Sequence, residues 1–304
     1  MDSLWMTGYE KEIERCKKLY VNFSEGAGYI KAVFDALKKY YEKHGNQLSQ
    51  LELTIPSAEE SAEMMRQDES LNLRPDINTA LFSELFKLVC LETTKANPVI
   101  KETIATVVDK TITFLSEEGE IVSLEKIKAF RDLLIKETAI EKDMATFLFS
   151  IVLSSIYRRQ LESISKVLRT DLYEGGECPL CGEKPHYGML RNDDGAKHLE
   201  CWLCGTSWVH TRVKCPYCSN DDREELGYFT VEGNDMCRVN YCRNCCRYCK
   251  IIDARKFGMD GKVILAIHNL ASLEYDLLAR KEGFFPGSGL EWINEEDEAI
   301  DRQD

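Results

Sequence analysis

CPLCGEKPHYGMLRNDDGAKHLECWLCGTSWVHTRVKCPYCSNDDREELGYFTVEGNDMCRVNYCRNCCRYC, residues 178–249, holds eleven of the chain's thirteen cysteines. Eight of them form four Cys-x-x-Cys knuckles: Cys178/Cys181, Cys201/Cys204, Cys215/Cys218 and Cys242/Cys245. Two intervening residues let one tight turn aim both sulfurs at one ion while turn amides stabilise the thiolates. Two knuckles then complete a tetrahedral four-sulfur site. One such pair says little; four in a row, three of them carrying the Pro or Gly that these turns favour, point to two metal sites.

The spacings suggest how the knuckles pair. Nineteen residues lie between Cys181 and Cys201, and 23 between Cys218 and Cys242. Either interval fits a ribbon in which knuckle, β-hairpin and knuckle close one site. Site one is therefore expected from Cys178, Cys181, Cys201 and Cys204, and site two from Cys215, Cys218, Cys242 and Cys245. An interleaved, cross-braced pairing also satisfies the spacings. Only ten residues separate Cys204 from Cys215, so the two ribbons must abut.

Four thiolates leave no coordination position for water or substrate, so the expected role of each ion is structural. A bound zinc contributes roughly 10–16 kcal/mol of apparent binding free energy to a segment with a thin apolar core. Iron suits the same geometry, so the expected cofactors are two metal ions, iron or zinc, and an iron site could carry an electron. Cys237, Cys246 and Cys249 are left over. Cys246 and Cys249 are nested in CRNCCRYC and could compete for metal or form a redox pair. The simpler reading puts Cys249 in the strand core beside Ile251 and Cys246 in a turn. His186, His198 and His210 lie close to knuckles, but eight well-placed thiolates need no substitute. Trp202 and Trp208 are expected to pack over the metal turns.

Composition sets the context. With 304 residues, 44% apolar and 30% charged, the chain reads as two ordinary globular domains. The net charge is −13, yet residues 176–256 carry 12 Lys and Arg against 12 Asp and Glu, and residues 291–304 carry seven acids and one Arg. Neither region is the basic footprint that neutralises phosphates, which counts against a nucleic-acid-binding zinc ribbon. No apolar run of about 18 residues is present, so no membrane insertion is expected. MDSLWMTGYEKEIERCKK has neither the basic start nor the apolar run of a secretory signal, so a cytoplasmic location is expected. A reducing compartment makes paired knuckles metal sites rather than disulfides.

Upstream, three- and four-residue apolar periodicity predicts helices. Ile13, Cys16, Leu19, Tyr20 and Phe23 mark the first. Gly26 and Gly28 interrupt, a second follows through Ile30 to Tyr41, and Gly45 closes it. Leu51 to Ile55 reads as extended. Ser57 and Glu60 form a capping box for a short helix, and Pro75 precedes a helix over DINTALFSELFKLVCLETT that buries Cys90. Further helices fit Val99–Phe114, Ser123–Lys136 and Ile140–Leu168, the last containing MATFLFSIVLSSIY as the central buried helix. Gly175 and Gly176 read as a short hinge. HLECWLCGTSW, KCPYC, ELGYFTVEG and CKIID read as narrow strands. A final helix over Ala266–Glu282 shows Ile267, Leu270, Leu273, Leu277 and Leu278 on one side, and the tail after Pro286 reads as loosely ordered.

The order CPLCG, HLECWLCGTSW, VKCPYC, a tyrosine-bearing strand, YCRNCCRYCKII and NLASLEYDLLARKEG resembles the formate dehydrogenase accessory protein FdhE family. The likeness is detailed from Cys178 to Gly283, including Arg212-Val213-Lys214-Cys215 and Leu270-Ala271-Ser272-Leu273 with Asp276, and it is looser upstream. It implies an α+β multidomain chain: an N-terminal α-helical domain over 1–174, rubredoxin-like or zinc-ribbon modules over 175–212 and 213–262, a C-terminal helix over 263–290, and an acidic tail. It also implies a non-enzymatic cytoplasmic assembly factor. Its expected partner is the large catalytic subunit of a molybdenum or tungsten formate dehydrogenase, bound before cofactor completion or export. Cys246 and Cys249 depart from the family, which more usually has Gly and an apolar residue there. A rubredoxin-like redox protein is the other reading.

Overall fold

The computed structural model describes residues 6–48, 54–257 and 263–287. The chain packs as two compact units that do not follow chain order. One comprises residues 1–13, 25–55 and 73–167; the other comprises 14–24, 56–72 and 168–304.

Helices come first: α1 (Tyr9–Leu19), α2 (Phe23–Leu48), α3 (Ala58–Arg66), α4 (Thr79–Ala96), α5 (Lys101–Glu118), α6 (Leu124–Glu137), α7 (Lys142–Gln160) and α8 (Glu162–Val167). The expected break at Gly26 and Gly28 does not occur, and α2 also runs three residues past Gly45. Each interior glycine costs about 1 kcal/mol against alanine. Burial of Ala27, Ile30, Val33, Phe34, Leu37, Tyr40, Tyr41 and Leu48 along one face offsets that cost. Asn78 and Ser123 cap α4 and α6 by accepting from the Leu81 and Lys126 amides, at 3.0 and 3.3 Å. The Ser57–Glu60 capping box on α3 forms as expected.

In the first unit α7 is indeed the most buried helix, with Ala145, Leu148, Phe149, Val152, Leu153 and Ile156 enclosed. Phe149 meets Phe86 at 5.0 Å between ring centroids, and Phe114 stacks on Phe130 at 4.2 Å. The long helix expected over 140–168 instead breaks at Leu161. Two short strands, β1 (Ile77–Asn78) and β2 (Ile121–Val122), pair antiparallel.

The second unit is built on one sheet. Its strands are β3 (Pro185–Leu190), β4 (Lys197–Cys201), β5 (Ser207–Val209), β6 (Leu226–Val231), β7 (Asn234–Cys242), β8 (Arg247–Asp253) and β9 (Phe285–Pro286). The order is β5-β4-β3-β8-β7-β6, with β9 beside β8. Two antiparallel ribbons are thus joined by a parallel seam in which Tyr187 faces Lys250 and Leu190 faces Asp253. KCPYC, expected as a strand, is a turn. Gly175 and Gly176 lie inside this unit rather than at a hinge between domains: a Cβ on Gly176 would sit 2.1 Å from the Pro216 carbonyl oxygen.

Two helices, α9 (Leu265–Ala271) and α10 (Leu273–Lys281), replace the single C-terminal helix. The break at Ser272 rotates the second away from the expected register. Tyr275 and Ala279 are fully buried, whereas Leu273, Leu277 and Leu278 are 58%, 68% and 38% exposed. A buried ion pair ties α10 to the sheet. The Lys250 ammonium, on β8, donates to Asp276 at 2.6 Å and to the Asn269 and Ser272 carbonyls at 2.9 and 3.4 Å. Tyr248 donates to the other Asp276 oxygen at 2.7 Å. Much of residues 51–55 and nearly all of the acidic tail lie outside the described residues.

Candidate metal centres

All four knuckles share one local design. In the first three, the amide of the leading cysteine donates to the carbonyl five residues on: Cys178 to Glu183, Cys201 to Thr206 and Cys215 to Asn220, at 2.7 to 2.9 Å. That carbonyl-to-amide clasp is closed by a return bond from Gly182, Gly205 and Ser219 to the leading cysteine's carbonyl, at 2.9 to 3.1 Å. The residue after the second cysteine adopts positive φ in every knuckle: Gly182 at 74°, Gly205 at 72°, Ser219 at 60° and Cys246 at 53°. The left-handed region suits glycine and costs other residues roughly 1–2 kcal/mol. Cys246 therefore fills a turn, as the simpler reading held, in a backbone conformation that glycine adopts without strain. Cys246→Gly is expected to stabilise the sheet unit by about 1 kcal/mol, read as a higher urea midpoint; an unchanged or lower midpoint would show that the Cys246 thiol, 3.6 Å from the Arg243 carbonyl, matters more.

The knuckles come together as the hairpin spacing predicts, and the interleaved alternative does not occur. Cys178, Cys181, Cys201 and Cys204 form one set, and Cys215, Cys218, Cys242 and Cys245 the other. Within each set all sulfurs lie within 4.8 Å of one another, and each set could hold a metal ion. The closest pairs are 3.5 Å apart in the first set and 3.7 Å in the second. A tetrahedron with metal–sulfur bonds of about 2.3 Å has edges of about 3.8 Å, so the donor sets fit. His186, His198 and His210 belong to neither set.

The thiols themselves call for a cation. In the second set Cys215 is lowered to about 5, chiefly because Cys245 donates to its sulfur, with amides of Cys218 and Tyr217 adding to the effect. In the first set burial opposes ionisation of Cys204, but donation from Cys178, Cys181, Cys201 and the Thr206 hydroxyl holds it low. Cys181 and Cys201 are driven well above the usual range by burial and their neighbours. One thiolate in each set is stabilised at the expense of its companions; ionising all four requires a positive centre.

The two sets differ in exposure. Every sulfur residue of the first is buried, whereas Cys218 is exposed and Cys245 partly so. Supports also differ. Residues 68–72 hold the first knuckle: Ser70 donates to the Cys178 carbonyl at 2.8 Å and the Leu71 amide to Pro179 at 2.9 Å. Trp208 is fully buried and donates to the Gly175 carbonyl at 3.0 Å, and Trp202 donates to Glu183 at 3.2 Å.

Parts of the chain are similar to known proteins. The family model "FdhE, central domain" matches residues 177–212. A "Protein FdhE homolog" from Aquifex aeolicus is 32% identical over 171 residues, 55% of this chain and 56% of the relative. "Protein FdhE" from Salmonella paratyphi A is 32% identical over 165 residues, 50% of this chain and 51% of the relative. The crystal structure of the FdhE protein from Pseudomonas aeruginosa is similar with a TM-score of 0.54 at 18% identity, covering 94% of both chains. The chain is similar to FdhE proteins over these segments. Its match spans about half the length of these curated relatives, and the structural likeness carries the fold alone.

Around the two sets, several residues make contacts that local sequence patterns do not disclose. Asp276, part of the motif that carries the resemblance, is the counter-ion of the buried Lys250. His186 is pulled down to about 4 by burial and the nearby Lys250 ammonium, and His210 to about 4 by burial and Lys197. Both stay neutral at physiological pH. His268, absent from any sequence-based expectation, is fully buried and shares a 2.9 Å hydrogen bond with the Tyr20 hydroxyl. Only a contact 248 residues apart in sequence reveals it.

Proposed function

We propose that the protein is a non-enzymatic accessory factor for formate dehydrogenase, acting in the cytoplasm on the large catalytic subunit of a molybdenum or tungsten enzyme before cofactor completion or export. The observation that carries this reading is the pair of closed four-cysteine sets within an FdhE-type chain. Cys178, Cys181, Cys201, Cys204, Cys215, Cys218, Cys242 and Cys245 would ligate two ions, zinc or iron. Four thiolates saturate a tetrahedral ion, which leaves no position for substrate and assigns the ions to holding a surface in shape. Among the described residues no helix is long and apolar enough to cross a membrane.

The test is capture of partners by the tagged full-length chain in its own host, with the retained proteins identified by mass spectrometry. Recovery of the large formate dehydrogenase subunit, lost with Cys215→Ser, is the expected result. Recovery of nucleic acid or of an unrelated redox protein in its place would overturn the reading. One observation favours a second reading, electron transfer: Cys218 opens the second set to solvent. An iron-loaded protein whose visible thiolate absorption bleaches reversibly would support that reading, and a colourless zinc protein would end it.

A further inference from the structure

A cavity of about 270 Å³ lies in the sheet unit, bounded by β4, β6, β7, β8 and the 212–217 segment that leads into the third knuckle. Five cations line it: Lys197, Arg212, Lys214, Arg238 and Arg247. No Asp or Glu does. In a chain of net charge −13 this is a local inversion, and it is created by register. Strand pairing sets Arg238 opposite Ile251, Asn240 opposite Cys249 and Cys242 opposite Arg247, so alternate residues of β7 and β8 deliver cations to one face.

Among the described residues, Lys197 and Arg238 find few partners. Lys197 is 4% exposed, and among the described residues its ammonium hydrogen-bonds to the Lys214 carbonyl alone, at 3.4 Å. Arg238 Nε and Asn240 Oδ1 are buried without a hydrogen-bond partner among the described residues. Arg212 donates to the Gly195 carbonyl, and Asp253, the carboxylate whose charge reaches Arg238, is already held by Arg255 at 2.7 and 2.6 Å. Burial of Lys197 and mutual repulsion among the cations disfavour such a group unless an anion joins it. Metal–thiolate charge explains part of the arrangement, since Cys215 and Cys242 reach the same cavity. A divalent ion with four thiolates carries a net charge of about −2, less than the charge of Lys197, Arg212, Lys214 and Arg238 together.

We infer that this cavity is a binding site for a phosphate group, most simply that of a small phosphorylated molecule. Guanidinium forks and a buried ammonium suit a multiply charged tetrahedral anion, whereas a single carboxylate engages one fork. The Asn240 amide adds a donor when its Nδ2 faces the anion. Tyr228, 61% exposed with the Arg238 guanidinium 4.8 Å from its ring centroid, offers a shelf on which a planar heterocycle can stack. The cavity is roomier than one phosphate needs and too small for a folded peptide segment.

The experiment is calorimetric titration of the metal-loaded full-length protein with inorganic phosphate, adenosine 5′-monophosphate, adenosine and a glutamate-rich peptide. Saturable binding of inorganic phosphate or of the monophosphate, with none of adenosine, is expected. Arg238→Gln and Lys214→Gln are each expected to weaken binding by about tenfold or more while metal content and thermal midpoint stay unchanged. Lys197→Met should abolish binding. Should that buried substitution impair folding, the Arg238 and Lys214 variants decide the matter. Equal affinity for phosphate and the monophosphate would assign the site to a free oxyanion; a monophosphate preference lost in Tyr228→Ala would assign it to a phosphorylated heterocycle. Absence of phosphate binding, binding of the peptide alone, undiminished phosphate binding by Arg238→Gln and Lys214→Gln, or loss of metal from these variants would overturn the inference, the last by showing that the cations serve the thiolate centre.

Discussion

Stripping the metal with a strong chelator under reducing conditions is expected to unfold the sheet unit while leaving the α4–α7 packing helical. Each four-thiolate ion contributes roughly 10–16 kcal/mol, which matches or exceeds the roughly 5–15 kcal/mol net stability of a typical domain. Trp202 and Trp208 report the event, because both are buried in the first ribbon and would move into water. Their fluorescence should shift red and fall as metal leaves, and far-ultraviolet circular dichroism should retain most of its helical signal. Serine at Cys201, in the fully buried set, should reproduce this loss more completely than serine at the exposed Cys218. Metal-free protein with unchanged tryptophan emission and unchanged melting would refute the structural role.

A second large effect is expected far from any thiol. Asp276→Ala removes the carboxylate that faces the Lys250 ammonium at 2.6 Å, and Lys250 is only 1% exposed. Two backbone carbonyls remain as acceptors, which do not neutralise the charge. Breaking a buried pair in this way costs about 3–5 kcal/mol, and the Tyr248 hydroxyl loses its acceptor as well. The urea midpoint should fall accordingly. Combining Asp276→Ala with Lys250→Met should recover most of the loss, because an apolar side chain no longer requires the carboxylate. A double variant no more stable than Asp276→Ala would show that the carboxylate acts through Tyr248 rather than through the ammonium.

The candidate sites were readable because their determinants are local. A knuckle is set by four residues and the turn that follows, and the pairing by the length of one hairpin. The capping box at Ser57 and Glu60 and the cap at Ser123 are equally short-range. What escaped depends on distant partners. Gly26, Gly28 and Gly45 read as breaks, but burial along α2 overrides their propensity. Leu273, Leu277 and Leu278 read as a buried stripe, but the break at Ser272 turns them outward because Lys250 recruits the Ser272 carbonyl and Asp276. The parallel pairing of β3 with β8 joins residues about 60 positions apart, and no hairpin signal announces such a seam. The charge balance of residues 176–256 hid the cationic cavity, since equal totals conceal an uneven distribution.

The mixed ancestry of the sheet unit bears on how the chain is made. Residues 14–24 and 56–72 belong with residues that follow 168, and Asn234 donates to the Leu19 carbonyl at 2.7 Å. A ribosome adds about 5–20 residues per second, so the interval from residue 72 to residue 168 lasts roughly 5–20 s. During that interval these early segments wait without their partners. The sheet unit thus passes through a vulnerable stage at birth, one that lasts at least until the last knuckle has emerged.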